Sequence, residues 1–324
     1  MLELRRTTVT AADGDRGWCE TGLGRAWSDP ALHPLPEPGD EVVVNVQARA
    51  LGLGSGGYDV VAANLTRGLG HAEPRDRHVM KLNYTPLQHA VHPADGDPQA
   101  ARASGAPVAV FPLHGHLPTL AWALAQAAPG ARLGYVQTAG GALPGTLSRA
   151  VAELRERGWL HAHVTAGPAY GGEAEAISTA GAIAAAAQAG CDAVACGPGP
   201  GILGSGTALG HGGLAALDSA HAALALGLPT LLVARMSEAD PRERHLGLSH
   251  HTRTVLDLLL APVTVALPSG QAPPPQPGAH AWRSADGSLE GHPWPLRTMG
   301  REDPLFFAAA AAAGRQLAAM MESL

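Results

Sequence analysis

From about Pro107 onward, short apolar runs alternate with amphipathic stretches, and this rhythm constrains the fold more than any other feature of the chain. Val108–Pro112, Leu133–Thr138, His161–Ala166, Cys191–Cys196, Thr230–Ala234 and Val263–Leu267 read as strands bounded by Gly, Pro or polar turns. Helical patterns fill the gaps: Pro118–Ala128, Leu143–Arg157, Glu173–Ala189, a stretch opening at Leu214, and Ser249–Leu260. In the second of these, Leu143, Leu147, Val151 and Leu154 share one face, and Gly158 suits the position just past the helix end. Strand alternating with helix predicts an α/β fold, a mostly parallel, Rossmann-like sheet with helices on both faces. A last helix is expected from about Asp303, with Pro304 in its first turn and an alanine run, Ala308–Ala313, that reads as helix propensity. Four prolines in Gln271–Pro277 exclude that stretch from a ladder and mark an exposed excursion over 271–295.

The first hundred residues have a different texture. Leu2–Val9, Glu41–Arg49, Tyr58–Leu65 and His78–Leu82 read as strands separated by Gly, Pro and Asp turns. Val42, Val44 and Val46 alternate with Val43, Asn45 and Gln47, the period of a strand with one buried face. Gly52–Gly57 is expected to form a hairpin or bulge, with ligand contact as the alternative. The expected division is a β-rich domain over 1–103, a small barrel or open sheet, and the α/β domain over 104–324.

Composition narrows the function. A net charge of −6 lacks the basic footprint of a nucleic-acid binder. No apolar run approaches the roughly 18 residues of a membrane span, and no apolar segment follows the arginines of Met1–Arg6, so neither a membrane partner nor a signal peptide is expected. Cys19, Cys191 and Cys196 form no disulfide framework, and a reducing, cytoplasmic compartment is the expectation. The single lysine, Lys81, faces twenty-one arginines, so any lysine chemistry must use Lys81.

Ligands of open parallel sheets bind beyond the carboxyl ends of the strands. There the chain places Gly197–Gly213, in which eight of seventeen positions are glycine. Such a loop between strand and helix can present backbone N–H groups to an anion, which makes Gly199, Gly201, Gly204, Ser205, Gly206 and Thr207 candidate ligand contacts. Gly199–Gly204 has the form G-x-G-x-x-G, but the next strand ends at Arg235 with no acid for a ribose. A P-loop is excluded, because Thr207 stands where its lysine belongs.

Arg235–His251 carries the densest charge of the domain. A solvated face is the alternative reading. The segment nevertheless leads into a helix start where Ser249 is a plausible N-cap and His250 and His251 occupy the first turn. The helix dipole there favours neutral imidazole, the form that accepts a proton. Adjacent helical side chains diverge by about 100°, so one of the two is expected to face a shared site. His250, His251 and Asp240 are the candidate catalytic residues, and Arg235, Arg244 and Arg301 candidate anion contacts. His114 and His116, two apart, suit one face of a strand continuing past Pro112, and with His250 or His251 and Asp240 they offer a weaker metal-ligand set. His221 reads as a core histidine.

Several stretches together resemble a bacterial family grouped as domain of unknown function 3866. They are Leu51–Tyr58, Met80–Gln88, Gly197–Gly213, Ser249-His250-His251-Thr252 and Thr298-Met299-Gly300-Arg301. In the family's pattern a Thr stands where this chain has Ser205 and a Gly where it has Glu302. The resemblance implies the two-part architecture and no activity, and it adds Lys81 to the candidate ligand contacts. The leading expectation is a protein, enzyme or not, that binds a small anionic or phosphorylated metabolite at the glycine loop, with acid–base work by a histidine. A non-catalytic binding or assembly module, self-associating or not, is the first alternative and a metal-dependent hydrolase the second. No cofactor is indicated.

Overall fold

The computed structural model describes residues 2–53, 56–69 and 76–323, and the chain divides into two compact units, Met1–His92 and Pro93–Leu324. Gly54 and Ser55 of the expected hairpin lie outside the described residues.

The first unit is built on β1 (Leu4–Asp13), β2 (Trp18–Thr21), β3 (Gly24–Trp27), β4 (Glu41–Asn45) and β5 (Asp59–Asn64), closed into a barrel in the order β1-β2-β3-β5-β4. A short helix α1 (Gln47–Ala50) ends the valine strand sooner than its composition suggests. The alternation does what its period requires: Val42 and Val44 meet Val9, Cys19, Ala26 and Val61 inside the barrel. A hairpin of β6 (Val79–Lys81) and β7 (His89–Val91) follows.

The second unit opens with α2 (Pro98–Ser104) and then alternates. In chain order come β8 (Val108–Val110), α3 (His116–Ala127), β9 (Leu133–Thr138), α4 (Arg149–Glu156), β10 (Ala162–Ala166), β11 (Ala174–Ala176), α5 (Thr179–Gln188) and β12 (Ala193–Pro198). Next are α6 (Ala215–Ala225), β13 (Thr230–Val233), β14 (Met236–Ser237), β15 (Gly247–Leu248), α7 (His250–Leu258), β16 (Thr264–Pro268), β17 (Ala281–Ala285), β18 (Arg297–Thr298), β19 (Arg301–Glu302) and α8 (Pro304–Met321). Eight strands form one sheet in the order β11-β10-β9-β12-β8-β13-β16-β17, every neighbouring pair parallel.

Burial on both faces explains why the inner strands read as continuous apolar runs. Val108 and Val110 join the core beneath α2, α5, α6 and α7, whereas Ala109 and Phe111 join the one beneath α3, α4 and α8. The alanine run of α8 is a packing surface as well as a helix former. Ala309 to Ala313 are fully buried, and a Cβ on Gly314 would lie 2.4 Å from the Leu120 carbonyl oxygen of α3. Only small residues let two helix backbones come that close.

In the second unit three expected elements differ from the sequence pattern. The expected helix over Glu173–Ala189 begins only at Thr179, where the Ser178 hydroxyl accepts from the Gly181 N–H, because Val164–Ala166 recruits Ala174–Ala176 as a parallel edge strand. The Leu143–Arg157 pattern is a short 3-10 turn at Gly145–Leu147 followed by α4, whose N-cap is Ser148. The proline-rich excursion contains β17, which pairs with β16 along its whole length at the sheet edge.

The chain leaves β8 through α3 onto one face, and leaves its neighbours β12 and β13 through α6 and α7 onto the other. A crevice opens at the carboxyl ends of strands whose connections diverge in this way. The glycine loop, the end of β13 and the start of α7 all meet there.

Candidate functional site

Ser249 organises the site. Its hydroxyl accepts the His251 N–H and starts α7, while its own N–H donates to the Arg235 carbonyl. The Arg235 N–H in turn donates to the Thr252 hydroxyl, so the end of β13 is laced to the first turn of α7. The intervening chain folds back as the β14–β15 ribbon and places His245 under the helix start, its Nδ1 2.8 Å from the Ser249 hydroxyl. From the other side Gly204 and His211 of the glycine loop bridge each other, and the His211 ring stacks on His251 at 3.7 Å and 8°.

These residues enclose a cavity of about 250 Å³. The loop contributes Ile202, Leu203, Gly204, Gly206, Thr207 and His211; the charged segment contributes Arg235, Arg242, Arg244 and His245; His250, His251 and Met299 complete the wall. Both neighbouring histidines line it, contrary to the expected divergence, because the cavity sits at the open end of α7 rather than along its flank.

A buried carboxylate anchors the arginines. Asp240 is shielded from solvent and accepts from Arg301 at 2.6 Å, from Arg242 at 2.9 Å and from Arg235 at 3.5 Å. Burial alone would raise its pKa. The side-chain and backbone hydrogen bonds of Arg242, with the charges of Arg242 and Arg301, outweigh that and hold the carboxyl well below the usual range. Burial lowers Arg235 to about 10, partly offset by Asp240, which leaves it a cation at neutral pH.

The imidazoles are the opposite case. Burial, then the Arg235 charge, pushes His251 down to about 2 and His245 to about 3. Burial and Arg244 lower His250, and burial and His250 lower His211. All four are therefore neutral at physiological pH. Arg235 Nη1 lies 2.7 Å from His251 Nδ1, and a guanidinium only donates, so Nδ1 accepts and the ring proton resides on Nε2. The Nε2 of His250 and the Nε of Arg235 are buried without a hydrogen-bond partner.

Of the residues expected at a site, Gly204, Gly206, Thr207, Arg235, Arg244, His250 and His251 share this cavity. Asp240 and Arg301 lie behind it as charge partners. Ser205 turns inward on its own loop, its hydroxyl 3.1 Å from that of Thr207 and 3.2 Å from the Gly210 carbonyl. Gly199 serves packing, since a Cβ there would sit 2.2 Å from the Ala142 carbonyl oxygen, and Gly201 is a turn residue at φ +75°. Lys81 is buried on β6 of the first unit, in register with His89.

The earlier histidines go elsewhere. β8 ends at Val110, so His114 and His116 do not share a strand face. His114 Nε2 lies 2.8 Å from the Ser148 hydroxyl, and His116 stacks on Phe306 at 4.3 Å at the start of α3. His221 is half-buried and accepts the Leu260 N–H.

Six lining residues lie outside the expected set, two of them the apolar Ile202 and Leu203 of the glycine loop. Arg242 and His245 belong to the charge run whose solvated reading competes, and His211 is the one ring within the glycine loop. Met299 sits at φ +50° in a two-residue turn with Gly300 between β18 and β19, a conformation that disfavours a methionine. In the sequence it is marked by its place in the Thr298–Arg301 stretch and by its departure from the usual turn residues.

The fold and cavity define a class: an α/β protein with a basic, histidine-lined cavity at the carboxyl edge of a parallel sheet. The chain belongs to the family described as protein of unknown function (DUF3866), whose model matches residues 25–314. Neither the curated proteins nor the solved structures contain a significant match to it. No helix among the described residues is long and apolar enough to cross a membrane.

Proposed function

We propose that this protein binds a small oxyanionic metabolite in the cavity between the glycine loop and the start of α7. The observation that carries the reading is the convergence of Arg235, Arg242 and Arg244 on one cavity, with the buried Asp240 carboxylate behind Arg235 and Arg242. Guanidinium groups match the planar and tetrahedral faces of carboxylate and phosphate through paired donors. The His251 Nε2–H adds a neutral donor, and the unpartnered His250 Nε2 is the group suited to proton transfer to or from a bound ligand. The loop acts mainly as a wall. The N–H groups of Ser205, Gly210 and Gly212 are spent on Gly210, Thr207 and Leu203 carbonyls, so side chains rather than backbone amides supply most of the anion's donors. Cys19, Cys191 and Cys196 are buried free thiols, which supports a reducing, cytoplasmic compartment.

A thermal-shift titration with phosphate, monocarboxylates and dicarboxylates tests the reading, since a ligand that binds only the native state raises the melting temperature. Saturable stabilisation by one of these classes at constant ionic strength is expected; uniform, non-saturating shifts across all of them would remove it.

One observation favours a second reading. A nitrogen of each of His245, His250 and His251 lies within 4.8 Å of the others, an arrangement from which a transition metal is bound by neutral imidazoles. The Arg235 contact weighs against it. Metal-bound histidines usually donate their second N–H to an acceptor, whereas the Nδ1 of His251 faces a donor. Stoichiometric metal in protein purified without chelator would favour this reading over the first.

A further inference from the structure

Behind the glycine loop lies a second cavity of about 260 Å³, at the carboxyl ends of β9 and β10. Thr138 and Gly167 lie on its walls, with Thr179 and Asp218 from the starts of α5 and α6. His211 lines both cavities. His211 is only 7% exposed, and neither ring nitrogen makes a regular hydrogen bond, the Ala208 backbone offering a contact outside regular geometry. A buried, under-used imidazole between two cavities is a group placed to meet something that occupies both.

The two chambers differ in chemistry. The first is lined by three arginines; the second is lined by Thr138, whose hydroxyl donates to the Ala139 carbonyl, by Thr179 and Asp218, and by no Arg or Lys. Each alone falls short of the roughly 300–1,000 Å³ of ordinary small-molecule sites, and His211 is the wall they share. A carboxylate accepts hydrogen bonds from hydroxyl groups and repels a second anion.

Resting on the anion-binding reading, we infer that the ligand is a phosphorylated polyol or sugar. Its phosphate lies among Arg235, Arg242 and Arg244, and its hydroxylated body passes His211 to reach Asp218 and Thr138. Three guanidiniums and a neutral N–H donor suit a dianionic tetrahedral group better than a single carboxylate. The acidic second chamber disfavours ligands with an anion at both ends.

Titration calorimetry with inorganic phosphate, glycerol 3-phosphate, ribose 5-phosphate and glucose 6-phosphate tests this. At least one phosphorylated polyol is expected to bind about ten-fold or more tightly than phosphate. Asp218→Ala, a change at an exposed side chain, is expected to abolish that excess and leave phosphate affinity within about two-fold. If phosphate binds but no polyol phosphate exceeds it, or if Asp218→Ala leaves the excess intact, the inference is overturned and the anion cavity stands. If phosphate, the carboxylates and the polyol phosphates all fail to bind, the anion-binding reading fails and takes the inference with it.

Discussion

Arg235 donates through Nη1 to Nδ1 of His251 at 2.7 Å, so a buried cation sets the tautomer of a buried imidazole. Side-chain ¹⁵N spectra are therefore expected to show His251 neutral and protonated on Nε2 from pH 7 down to pH 5. Arg235→Met removes both the donor and the second-largest cause of the lowered pKa, so the titration of His251 moves upward. A wild-type His251 that titrates near 6.5, the ordinary value, would contradict the arrangement.

Asp240 is the counter-charge to three arginines, and its side chain is fully buried. Removing one partner of a buried ionic cluster leaves the rest uncompensated and typically costs 3–5 kcal/mol. Asp240→Asn, which keeps the shape, is expected to destabilise the fold by about 3 kcal/mol in urea unfolding. A change below about 0.5 kcal/mol would show that the arginines find other partners.

Acid should act early on this protein. His116, His163 and His245 are lowered to about 3 and His251 to about 2, with burial the largest cause in each. Above the unfolded value near 6.5 both states are neutral and these groups contribute nothing to the pH dependence. Below it only the unfolded chain gains the protons, and each imidazole subtracts up to about 1.4 kcal/mol per pH unit. The Asp240 carboxyl is also depressed, so its contribution is lost only below the unfolded Asp value near ~4. The melting temperature is thus expected to fall steeply between pH 6.5 and 5, before the carboxylates matter. A flat profile over that range would rule out the buried neutral histidines.

Two backbone positions separate fold from site. Gly314→Val thrusts side-chain atoms into the Leu120 carbonyl, and a loss of about 3 kcal/mol is expected from the displaced helices. Met299→Gly relieves a left-handed methionine and is expected to stabilise the protein by up to ~1 kcal/mol, net of the added unfolded-state entropy. Because Met299 lines the cavity, the same variant is expected to bind phosphate more weakly. Calorimetric melting with phosphate titration checks both; a gain in stability with unchanged affinity would make the turn a strain without a role.

Much of the architecture is legible in the chain because strand burial and helix capping are local. Val108–Val110 and Thr230–Val233 announce a buried parallel sheet, and Ser249 announces the start of α7. Ala174–Ala176 and Ala281–Ala285 are not legible, since three alanine-flanked residues or a strand beside prolines carry no pattern until a neighbouring edge recruits them. At the site, the glycine loop and His250–His251 stand out as local clusters. His211, by contrast, acquires meaning only by stacking on a residue forty positions away, which no local periodicity records. Asp240 reads equally well as a proton carrier or a charge anchor until the three guanidiniums are seen around it.

The proposed oxyanion site rests on Arg235, Arg242 and Arg244. Arg244 tests it most cleanly, because it is exposed and lines the cavity, within 3.6 Å of the position a Cβ on Gly206 would take. Titration calorimetry of inorganic phosphate into the wild type and Arg244→Met at constant ionic strength reads it directly. Saturable binding at one site is expected in the wild type, and at least a ten-fold loss, about 1.4 kcal/mol, in the variant with its melting temperature unchanged. Equal affinity in the two proteins would contradict it.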